Sequence, residues 1–291
     1  MWICRDWEDY QVIDLCGGEK LEDWNGYRLV RPDPQVIWNS REFPEEWKRY
    51  HGRYHRSAKG GGSWEFVRRV PDRWTVSFAP LGLRFQIKPM GFKHTGLFPE
   101  QAANWQWFSE LIQKAGREIR VLNLFAYTGG ATAAAAAAGA SVAHIDSSKG
   151  MVTWAKENLT SSGLEHCPVR YIVDDVMKFV EREIRRGRKY DAVIMDPPSY
   201  GRGPNGEIWK IEDELFPLLH RCMQVLSDRP LFFLINSYTT GLAPSVLSNL
   251  LKMTVVKKYG GTAEADELGL PVQNSSLILP CGASGRWQAD N

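Results

Sequence analysis

The sequence predicts an α/β protein in which a Rossmann-like, seven-stranded sheet follows a small strand-rich α+β N-terminal domain. From about residue 99, short β-favouring runs alternate with helical runs, which is typical of a parallel sheet covered by helices on both faces. Before residue 92, β-favouring runs are instead separated by prolines and glycines. We therefore expect two domains, residues 1–92 and residues 93–291.

The composition is that of a globular protein. Of the 291 residues 43% are hydrophobic and 24% charged, which excludes a largely disordered chain. No apolar run approaches about 18 residues, so we expect no membrane span, and the acidic, aromatic start argues against a secretory signal. The five cysteines are odd in number and widely spaced, and they include no CxxC pair. This favours a reducing cytoplasm over a disulfide framework or a zinc site.

The N-terminal elements are short. The predicted strands are 27–31, 35–38, 64–68, 75–78 and 83–88, and a helix is predicted over 44–50 with a proline in its first turn.

A basic, aromatic stretch covers residues 47–74. Its basic residues are Lys48, Arg49, Arg53, Arg56, Lys59, Arg68, Arg69 and Arg73, and its aromatic residues are Trp47, Tyr50, Tyr54, Trp64 and Trp74. Basic side chains neutralise phosphates and aromatic rings stack on bases, so the stretch suits single-stranded nucleic acid. The alternative is a solvated face of a domain whose tryptophans form its core.

The second domain begins with a helix over 99–114. Strands are predicted over 120–125, 142–146, 169–173, 190–196 and 231–236, with helices over the alanine run from residue 131, over 149–159, 176–186 and 212–226, and after residue 244. Two further strands, one of them antiparallel, are predicted over 254–259 and 276–280. Alanine has a small side chain and high helix propensity, so the alanine helix can lie close to the sheet.

Glycine or aspartate follows each of the first four strands of this domain. The four segments are Asn123-Leu-Phe-Ala-Tyr-Thr-Gly-Gly, His144-Ile-Asp-Ser-Ser, Val173-Asp-Asp-Val and Asp196-Pro-Pro-Ser-Tyr. Ligands of open α/β sheets bind at these strand ends. Neither G-x-G-x-x-G nor G-x(4)-G-K-[ST] is present, so the ligand should carry a ribose and a base without a pyrophosphate at the glycine turn. S-adenosylmethionine (SAM) fits. A single such residue could equally just form a turn.

In this order, the four segments resemble the motifs of class I SAM-dependent methyltransferases. The segment Lys93-His-Thr-Gly-Leu-Phe-Pro-Glu-Gln-Ala-Ala-Asn-Trp resembles more closely the K-T-G-x-F-x-x-Q-x-x-N pattern of the bacterial large-subunit rRNA cytosine-C5 methyltransferase family. The resemblance covers about residues 85–282. It implies a SAM-dependent methyltransferase that acts on RNA, rRNA in particular.

The resemblance also implies roles for individual residues. Asp196 and Tyr200 would be catalytic, with Tyr200 stacking on the target base or, alternatively, packing under its loop. Asp146 would bind the ribose hydroxyls and Asp174 the adenine amino group. The expected cofactor contacts are Thr95, Gly96, Phe98, Gln101, Asn104, Phe125, Ala126, Tyr127, Gly129, Asp146, Ser147, Asp174, Asp175, Val176, Asp196, Pro197 and Pro198.

The sequence differs from that family at the nucleophile. Methylation of cytosine C5 needs a cysteine thiolate that adds to the ring, and the family's cysteine follows the fourth or the fifth strand. Neither Asp196-Pro-Pro-Ser-Tyr nor Asn236-Ser-Tyr-Thr-Thr-Gly contains one. We expect Cys222 in a helix and Cys281 at the opposite edge of the sheet. The Asp196-Pro-Pro turn also resembles that of amino methyltransferases, with Ser199 inserted, so the target atom stays open.

The loop over residues 201–212 is rich in glycine and is either a mobile lid over the substrate or an ordinary loop, and its Arg202 and Lys210 could meet phosphate. The histidines show no metal-binding spacing, and His144 is expected in the core. The function predicted is SAM-dependent methylation of RNA in the cytoplasm, with no metal or membrane involved. The alternatives are a methyltransferase of a small molecule or protein, and a non-catalytic SAM- or RNA-binding module. The oligomeric state stays open.

Overall fold

The computed structural model of the chain describes residues 1–57, 61–202 and 208–290. It divides into two compact units. The larger unit comprises Met1–Trp2, Ala103–Leu268 and Gly282–Asn291, and the smaller unit comprises Ile3–Ala102 and Gly269–Cys281. The smaller unit therefore takes a short segment from near the C-terminus. The functional boundary expected between residues 92 and 93 stays a prediction.

The smaller unit is rich in short strands. After β1 (Trp2–Ile3), which joins the sheet of the larger unit, come β2 (Tyr10–Cys16), β3 (Glu19–Trp24), β4 (Tyr27–Pro32), β5 (Gly52–Arg56), β6 (Gly62–Phe66), β7 (Trp74–Phe78) and β8 (Leu83–Ile87). Strands β2 to β6 form one sheet in chain order, and β7 pairs with β8. Short 3-10 helices cover Glu46–Arg49, Ala79–Leu81 and Pro99–Gln101. The strand-rich N-terminal region is confirmed.

The strand predicted over 35–38 is wrong. The carbonyl oxygens of Val36 and Trp38 accept hydrogen bonds from the backbone N–H groups of Gly18 and Gly17, at 2.7 Å each. The segment therefore bonds to the turn between β2 and β3 and forms no ladder with a strand, although Val36 is buried. The helix predicted over 44–50 is a single 3-10 turn that buries Trp47.

The larger unit alternates helices and strands, as predicted. Its elements are α1 (Ala102–Lys114), β9 (Arg120–Leu124), α2 (Gly130–Ala137), β10 (Ser141–Asp146), α3 (Lys149–Ser161), β11 (Val169–Val173), α4 (Val176–Arg185), β12 (Ala192–Met195), β13 (Tyr200–Arg202), β14 (Ile208–Lys210), α5 (Ile211–Val225), β15 (Phe232–Ser237), α6 (Pro244–Leu251), α7 (Lys257–Tyr259), β16 (Thr262–Pro271) and β17 (Ile278–Gln288). A π-helical segment, Lys252–Val256, joins α6 to α7.

The main sheet has the strand order β1-β16-β17-β15-β12-β9-β10-β11 in the described part of the chain. The pairs from β15 to β11 are parallel, and β17 runs antiparallel to β15. This is the α/β, Rossmann-like sheet that the sequence predicts, with the two-residue β1 as an eighth strand. The first parallel strand along the chain, β9, lies in the middle of the sheet. The strand order reverses at β9, so the loops after β9 and β12 become neighbours.

The strand predicted over 254–259 is wrong, because these residues continue the helix from Pro244. The run of β-branched residues suggested a strand, but Thr254 and Val255 are buried on the inner side of the helical segment. The Thr254 hydroxyl donates back to the carbonyl oxygen of Leu250 at 2.7 Å, which suits a helix. The missing strand is β16. The strand predicted over 276–280 is the beginning of the antiparallel β17.

The alanine helix α2 packs closely, as predicted: Ala133, Ala134 and Ala135 are fully buried. The Ser109 hydroxyl of α1 donates to the carbonyl oxygen of Ala134 at 3.3 Å. Larger side chains would keep α1 and the sheet at a greater distance from this helix. None of the described helices has the length and apolarity needed to cross a membrane.

Candidate active site

The strand register brings the predicted strand ends together. Leu124, the last residue of β9, pairs with Ile145 of β10 and with Met195 of β12. The residues that follow these three positions, among them Asp146 and Asp196, therefore lie side by side at the carboxyl edge of the sheet. This is the edge at which open α/β sheets bind ligands.

The loop after β9 is tightly wound. Phe125, Tyr127 and Gly129 all have positive φ angles, of 54°, 49° and 83°. For a residue other than glycine this conformation costs about 1–3 kcal/mol, and it clusters at functional sites. The backbone N–H of Tyr127 donates to Asp146 Oδ2 at 2.8 Å, so the β10 end fixes the loop.

Helix α3 holds the far side of this loop. The Asn158 side-chain amide donates to the carbonyl oxygen of Thr128 at 2.8 Å. A Cβ atom at Gly129 would lie 2.8 Å from Cβ of Ala155, and one at Gly130 would lie 2.6 Å from the Trp105 ring. The glycine pair therefore lets the loop approach its supports more closely than any other residues could.

Asp146 suits a ligand with two adjacent hydroxyl groups. Its Oδ1 accepts the backbone N–H of Ser148 at 2.8 Å, and its Oδ2 accepts that of Tyr127. Each carboxylate oxygen has a second lone pair that can accept a ligand hydroxyl. Burial raises the pKa of Asp146 above its usual value, while the two backbone N–H groups act in the opposite direction. The chain thus provides a fixed, partly desolvated acceptor where a ribose is expected.

The β11 end adds a second carboxylate. The backbone N–H of Asp174 donates to the carbonyl oxygen of Asp146 at 3.1 Å, which ties the two strand ends together. Asp174 Oδ2 accepts a hydrogen bond from the Arg182 guanidinium of α4, a contact that the sequence did not predict. Asp175 caps α4 by accepting a backbone N–H at 2.9 Å, and Val176 is buried. The adenine contacts expected of these residues stay predictions.

The turn after β12 is tied to the β15 end. The hydroxyl groups of Ser199 and Thr239 form a hydrogen bond of 2.7 Å. Thr239 lies two residues beyond β15, and its N–H contacts the hydroxyl of Ser237 at 3.2 Å. Ser199, the residue inserted before the aromatic position of this turn, therefore links two strand ends. Tyr200 is 51% exposed, so its ring is accessible at the site edge.

Trp209 joins the same turn to the loop after β9, a contact that the sequence did not predict. Its indole N–H donates to the carbonyl oxygen of Pro198 at 2.6 Å, and its ring meets that of Phe125 edge-on at 5.0 Å between centroids. Trp209 lies on β14, which pairs with β13. In the sequence, the feature that could have indicated this contact is an aromatic residue within a glycine-rich loop. The predicted lid includes residues 203–207 and the Arg202 side chain, which lie outside the described part.

The boundary between the two units falls at the beginning of α1, between Ala102 and Ala103. Thr95, Gly96, Phe98 and Gln101 belong to the smaller unit, and their expected cofactor contacts stay predictions. The Thr95 hydroxyl is buried and finds no hydrogen-bond partner among the described residues, so it has capacity for a ligand.

Asn104, which belongs to the larger unit, is fully engaged within the protein. Its amide group donates to Asn236 Oδ1 at 3.1 Å and to the Ser284 hydroxyl at 2.9 Å, and it accepts from Arg286 at 2.8 Å. This network holds α1 against β15 and β17. A direct cofactor contact by Asn104 stays a prediction.

The cysteines near the sheet are poor nucleophiles. Cys222 is fully buried in α5, and burial raises the pKa of its thiol. Burial and nearby carboxylates also raise the pKa of Cys281. The expectation that Cys281 lies at the opposite edge of the sheet is wrong. Cys281 lies two residues before Ala283, and Ala283 pairs with Ser237 at the carboxyl end of β15. Cys281 is therefore near the carboxyl edge of the sheet.

His144 is a core residue, as predicted. It is fully buried, and its Nδ1 lies 2.9 Å from the Thr132 hydroxyl, which also accepts from the Asn123 amide at 2.9 Å. Burial lowers the pKa of His144 to about 4, so it is neutral at physiological pH. Among the described residues, no group of histidine, cysteine and carboxylate side chains is placed to hold a metal ion.

The basic, aromatic stretch is partly core. Trp47, Tyr54 and Trp74 are buried, which confirms the alternative interpretation for these three. Trp64 and Phe66 instead stack at 5.8 Å with an interplanar angle of 13°, and Phe66 is 46% exposed. Arg56, Arg68, Arg69 and Arg73 are exposed, whereas Lys59 lies outside the described residues. The surface that remains for nucleic acid is therefore smaller than the sequence suggested.

Comparisons with known proteins agree with this geometry. The family described as S-adenosylmethionine-dependent methyltransferase matches residues 49–227. A crystal structure of a SAM-dependent methyltransferase from Agrobacterium tumefaciens is 35% identical, with a TM-score of 0.93, and the match covers 99% of this chain and 93% of that one. The structure of SMU.776, described as a methyltransferase and solved with SAH, is 18% identical and shares the fold with a TM-score of 0.72, over 97% of this chain and 76% of that one.

A curated relative from Shewanella frigidimarina is named ribosomal RNA large subunit methyltransferase K/L. It is 31% identical over 148 residues, and the match covers 50% of this chain and 20% of the relative. The chain thus matches about a fifth of the length of this relative.

Proposed function

The chain belongs to the S-adenosylmethionine-dependent methyltransferase family, and from this premise we propose that it methylates a base nitrogen of RNA, with ribosomal RNA as the substrate. One observation carries the proposal: the register brings the ends of β9, β10 and β12 to one level, with Asp146 and Asp196 on either side of the β9 end. A small-molecule or protein substrate is the alternative within the family.

The residues present fit SAM. The tightly wound loop after β9 and the fixed carboxylate of Asp146 would hold the ribose, and Asp174 would accept from the adenine amino group. When bound, SAM supplies a methyl group that is already activated. The protein's remaining task is to hold the nucleophile in line with that group, since positioning accounts for most of the catalysis in such a transfer.

Asp196 and Tyr200 would position the target base. A carboxylate at the turn after β12 can accept an N–H of the base and can orient the attacking nitrogen. The exposed ring of Tyr200 offers a surface for stacking. We propose direct transfer because the turns after β12 and β15 contain no cysteine that could form the adduct that carbon methylation requires.

The RNA part of the proposal has separate support. The matched relatives from several bacteria are named as ribosomal RNA methyltransferases. The smaller unit exposes Phe66, which stacks on the half-buried Trp64, and the exposed Arg56 lies on the neighbouring strand β5. Basic and aromatic side chains in one place are typical of single-stranded RNA binding. A ribosomal RNA substrate would place the enzyme in the cytoplasm.

Three measurements test the proposal. Titration calorimetry with SAM and SAH tests the cofactor, and an absence of binding at millimolar ligand would overturn the assignment. Transfer of a radiolabelled methyl group to ribosomal RNA from cells lacking the gene tests the substrate, and mass analysis of the nucleosides then identifies the atom. Binding of RNA without transfer would favour a non-catalytic module. Transfer to no RNA, combined with RNA binding that changes little with salt concentration, would favour a small-molecule or protein substrate.

A further inference from the structure

A basic cavity of about 470 Å³ opens at the amino ends of the parallel strands, in the larger unit. The lining residues that carry the argument are Arg120, Ser141, Arg170, Arg188, Lys189 and Tyr190. Arg120 and Ser141 are the first residues of β9 and β10, whereas the candidate active site follows the last residues of these strands. About 15 Å of strand therefore separates the two sites.

One buried carboxylate organises three guanidinium groups, of which those of Arg170 and Arg188 line this cavity. Glu183 is fully buried, and its Oε1 lies 3.2 Å from a nitrogen of Arg186. Its Oε2 lies 3.7 Å from Arg170 and 3.9 Å from Arg188, and accepts from the Tyr190 hydroxyl at 2.6 Å. A single negative charge thus stands against three positive ones. Two positive charges remain that Glu183 does not balance.

The lining adds the positive charges of Arg120 and Lys189, and none of the described lining residues is acidic. The Glu118 carboxylate lies 3.8 Å from Arg120 and accepts from the Ser141 hydroxyl at 3.3 Å, so it offsets one of these two charges. Like charges that are held together repel one another, so such a cluster is most stable with an anion among its members. Guanidinium groups bind phosphate through two parallel N–H···O hydrogen bonds, which makes arginine the side chain best suited to this ligand.

Helix electrostatics account for only part of the cluster. Arg186 and Arg188 follow the C-terminal end of α4, where positive charge interacts favourably with the helix dipole. Arg120 and Arg170 lie on strands β9 and β11, so the helix dipole of α4 does not account for their positions. Three separate elements therefore bring cations to one concave surface.

We infer that this cavity is a binding site for a phosphate group. The group could be a backbone phosphate of RNA or the phosphate of a small molecule, and both would use the same guanidinium contacts. The RNA case rests on the proposed function, and the general case does not. Because the cavity lies away from the strand ends that hold the cofactor, its occupation contributes affinity for the ligand and leaves methyl transfer itself unchanged.

The test compares two double variants of the full chain. R170Q/R188Q removes two lining cations whose side chains are 48% and 58% exposed, and K252Q/K257Q removes two exposed lysines outside the cavity. The probes are inorganic phosphate in titration calorimetry and a single-stranded RNA of about 12 nucleotides in fluorescence anisotropy. We expect R170Q/R188Q to weaken binding at least about tenfold, and K252Q/K257Q to change it by less than about twofold.

The salt dependence identifies the ligand. If the site takes an RNA phosphate, R170Q/R188Q lowers the slope of log K against log salt concentration by about 1.4, because each contact to a single strand contributes about 0.7. Methyl transfer at saturating RNA stays unchanged. If the site takes a small phosphorylated ligand, phosphate binding falls and RNA binding does not. If phosphate and RNA both bind the variant as they bind the native chain, the inference is wrong. The phosphate result stands even where no RNA is methylated.

A second variant keeps every arginine. Ser141→Glu places a carboxylate in the cavity wall, where it neutralises the cluster without removing a cation. The new carboxylate would also stand near that of Glu118, which accepts from the Ser141 hydroxyl at 3.3 Å, so circular dichroism must first show that the variant is folded. In the folded variant we expect phosphate binding to be lost. Retained phosphate binding in a folded Ser141→Glu variant would overturn the inference, whatever the effect of the double substitution on stability.

Discussion

At the scale of single residues, Asp146 shows how structure and binding share one side chain. Its two oxygens already hold the backbone of Tyr127 and Ser148, and only their outward lone pairs are available to a ligand. Burial raises its pKa because the site withdraws the charge from water. The ionised form, which is the better acceptor for hydroxyl groups, is therefore disfavoured by burial and favoured by the two N–H groups.

We predict that Asp146→Asn weakens SAM binding about 100-fold. The substitution removes the negative charge and replaces one acceptor oxygen by a donor, which costs two charge-assisted hydrogen bonds. Titration calorimetry with SAM measures the effect, and Asp213→Asn, at an exposed position of α5, serves as the control. Equal affinities of the two variants would exclude Asp146 from the cofactor site.

From the burial of His144, we predict that the stability of the protein depends on pH. Burial lowers its pKa from 6.5 to about 4, so the unfolded chain binds more protons than the folded chain between these values. The stability contribution of neutral His144 is therefore present above pH 6.5, and it is lost as the pH falls towards 4. The loss amounts to about 3 kcal/mol.

Urea denaturation between pH 7 and pH 4 measures this loss. We expect His144→Phe to flatten the pH dependence and His166→Asn, at a position 94% exposed, to leave it as in the native chain. Burial also lowers the pKa of His94 to about 4, so protonation of His94 destabilises the folded chain over the same pH range. Part of the pH dependence of stability will therefore remain in His144→Phe. An unchanged slope in His144→Phe would contradict the assignment.

At the scale of elements, Trp209 of the β13–β14 pair connects the turn after β12 to the loop after β9. We predict that Trp209→Phe lowers kcat for methyl transfer about fivefold and leaves SAM affinity unchanged. The variant keeps an aromatic ring against Phe125 but loses the hydrogen bond of about 1 kcal/mol to Pro198. Ile208→Thr, at an exposed position of the same strand, is the control. A loss of SAM affinity without a change in kcat would contradict a positioning role.

The glycine turn after β9 makes a sharper prediction. Gly129 and Gly139 both have positive φ angles, but only at Gly129 would a Cβ atom meet a neighbour, Ala155, at 2.8 Å. We expect Gly139→Ala to cost about 1–2 kcal/mol of unfolding free energy and Gly129→Ala about 3 kcal/mol, because the second adds a steric clash to the same strain. SAM affinity should fall in Gly129→Ala alone. Equal costs in urea denaturation would show that the loop can move away from α3.

The elements differ in how far the sequence determines them. The central strands β9, β10 and β12 are predictable because continuous apolar runs end in polar strand tips, and both properties are local. The helix over 252–259 is not, because Thr254 and Val255 favour strands locally and become helical through burial against the core. Likewise Val36 belongs to a β-favouring run but bonds to a turn.

The candidate site shows the same division. Its strand-end residues could be named from the sequence because every one follows a recognisable strand. Its cross-links could not, since Arg182 reaches Asp174 from the next helix and Thr239 reaches Ser199 across 40 positions. The second pair depends on which strands become neighbours, and a local pattern does not contain that information. The first pair depends on how α4 lies against the end of β11. Within the basic, aromatic stretch, only the solvent exposure of each side chain in the structure distinguishes the buried Trp47 from the exposed Phe66.

At the scale of the whole molecule, each of the two compact units buries ionic groups beside its apolar core. The apolar core of the larger unit follows the parallel sheet, and Glu183 is also buried in this unit. The smaller unit also buries an ion pair in which Glu22 accepts from Arg31 at 2.6 Å and from the Tyr10 hydroxyl at 2.7 Å. Burial raises the pKa of Glu22, but its cationic neighbours outweigh burial and hold the pKa at about 2. Because most of the expected cofactor residues, those from Phe125 to Pro198, belong to the larger unit, ligand binding should stabilise the two units unequally.

We predict that SAM slows amide hydrogen exchange in the central strands of the larger unit and leaves β2 to β4 of the smaller unit unchanged. At a concentration of 100 times Kd, a ligand adds about 2.7 kcal/mol to the opening of the unit that binds it, which corresponds to about 100-fold slower exchange. The amides of β9 and β10 should show this protection and those of β2 to β4 should not, as measured by mass spectrometry. Asp146→Asn, whose predicted affinity is about 100-fold weaker, should reduce the protection to about twofold at the same SAM concentration, which separates binding from general solvent effects. Equal protection of both sets of strands would mean that the units open as one, because SAM would then stabilise a single cooperative structure.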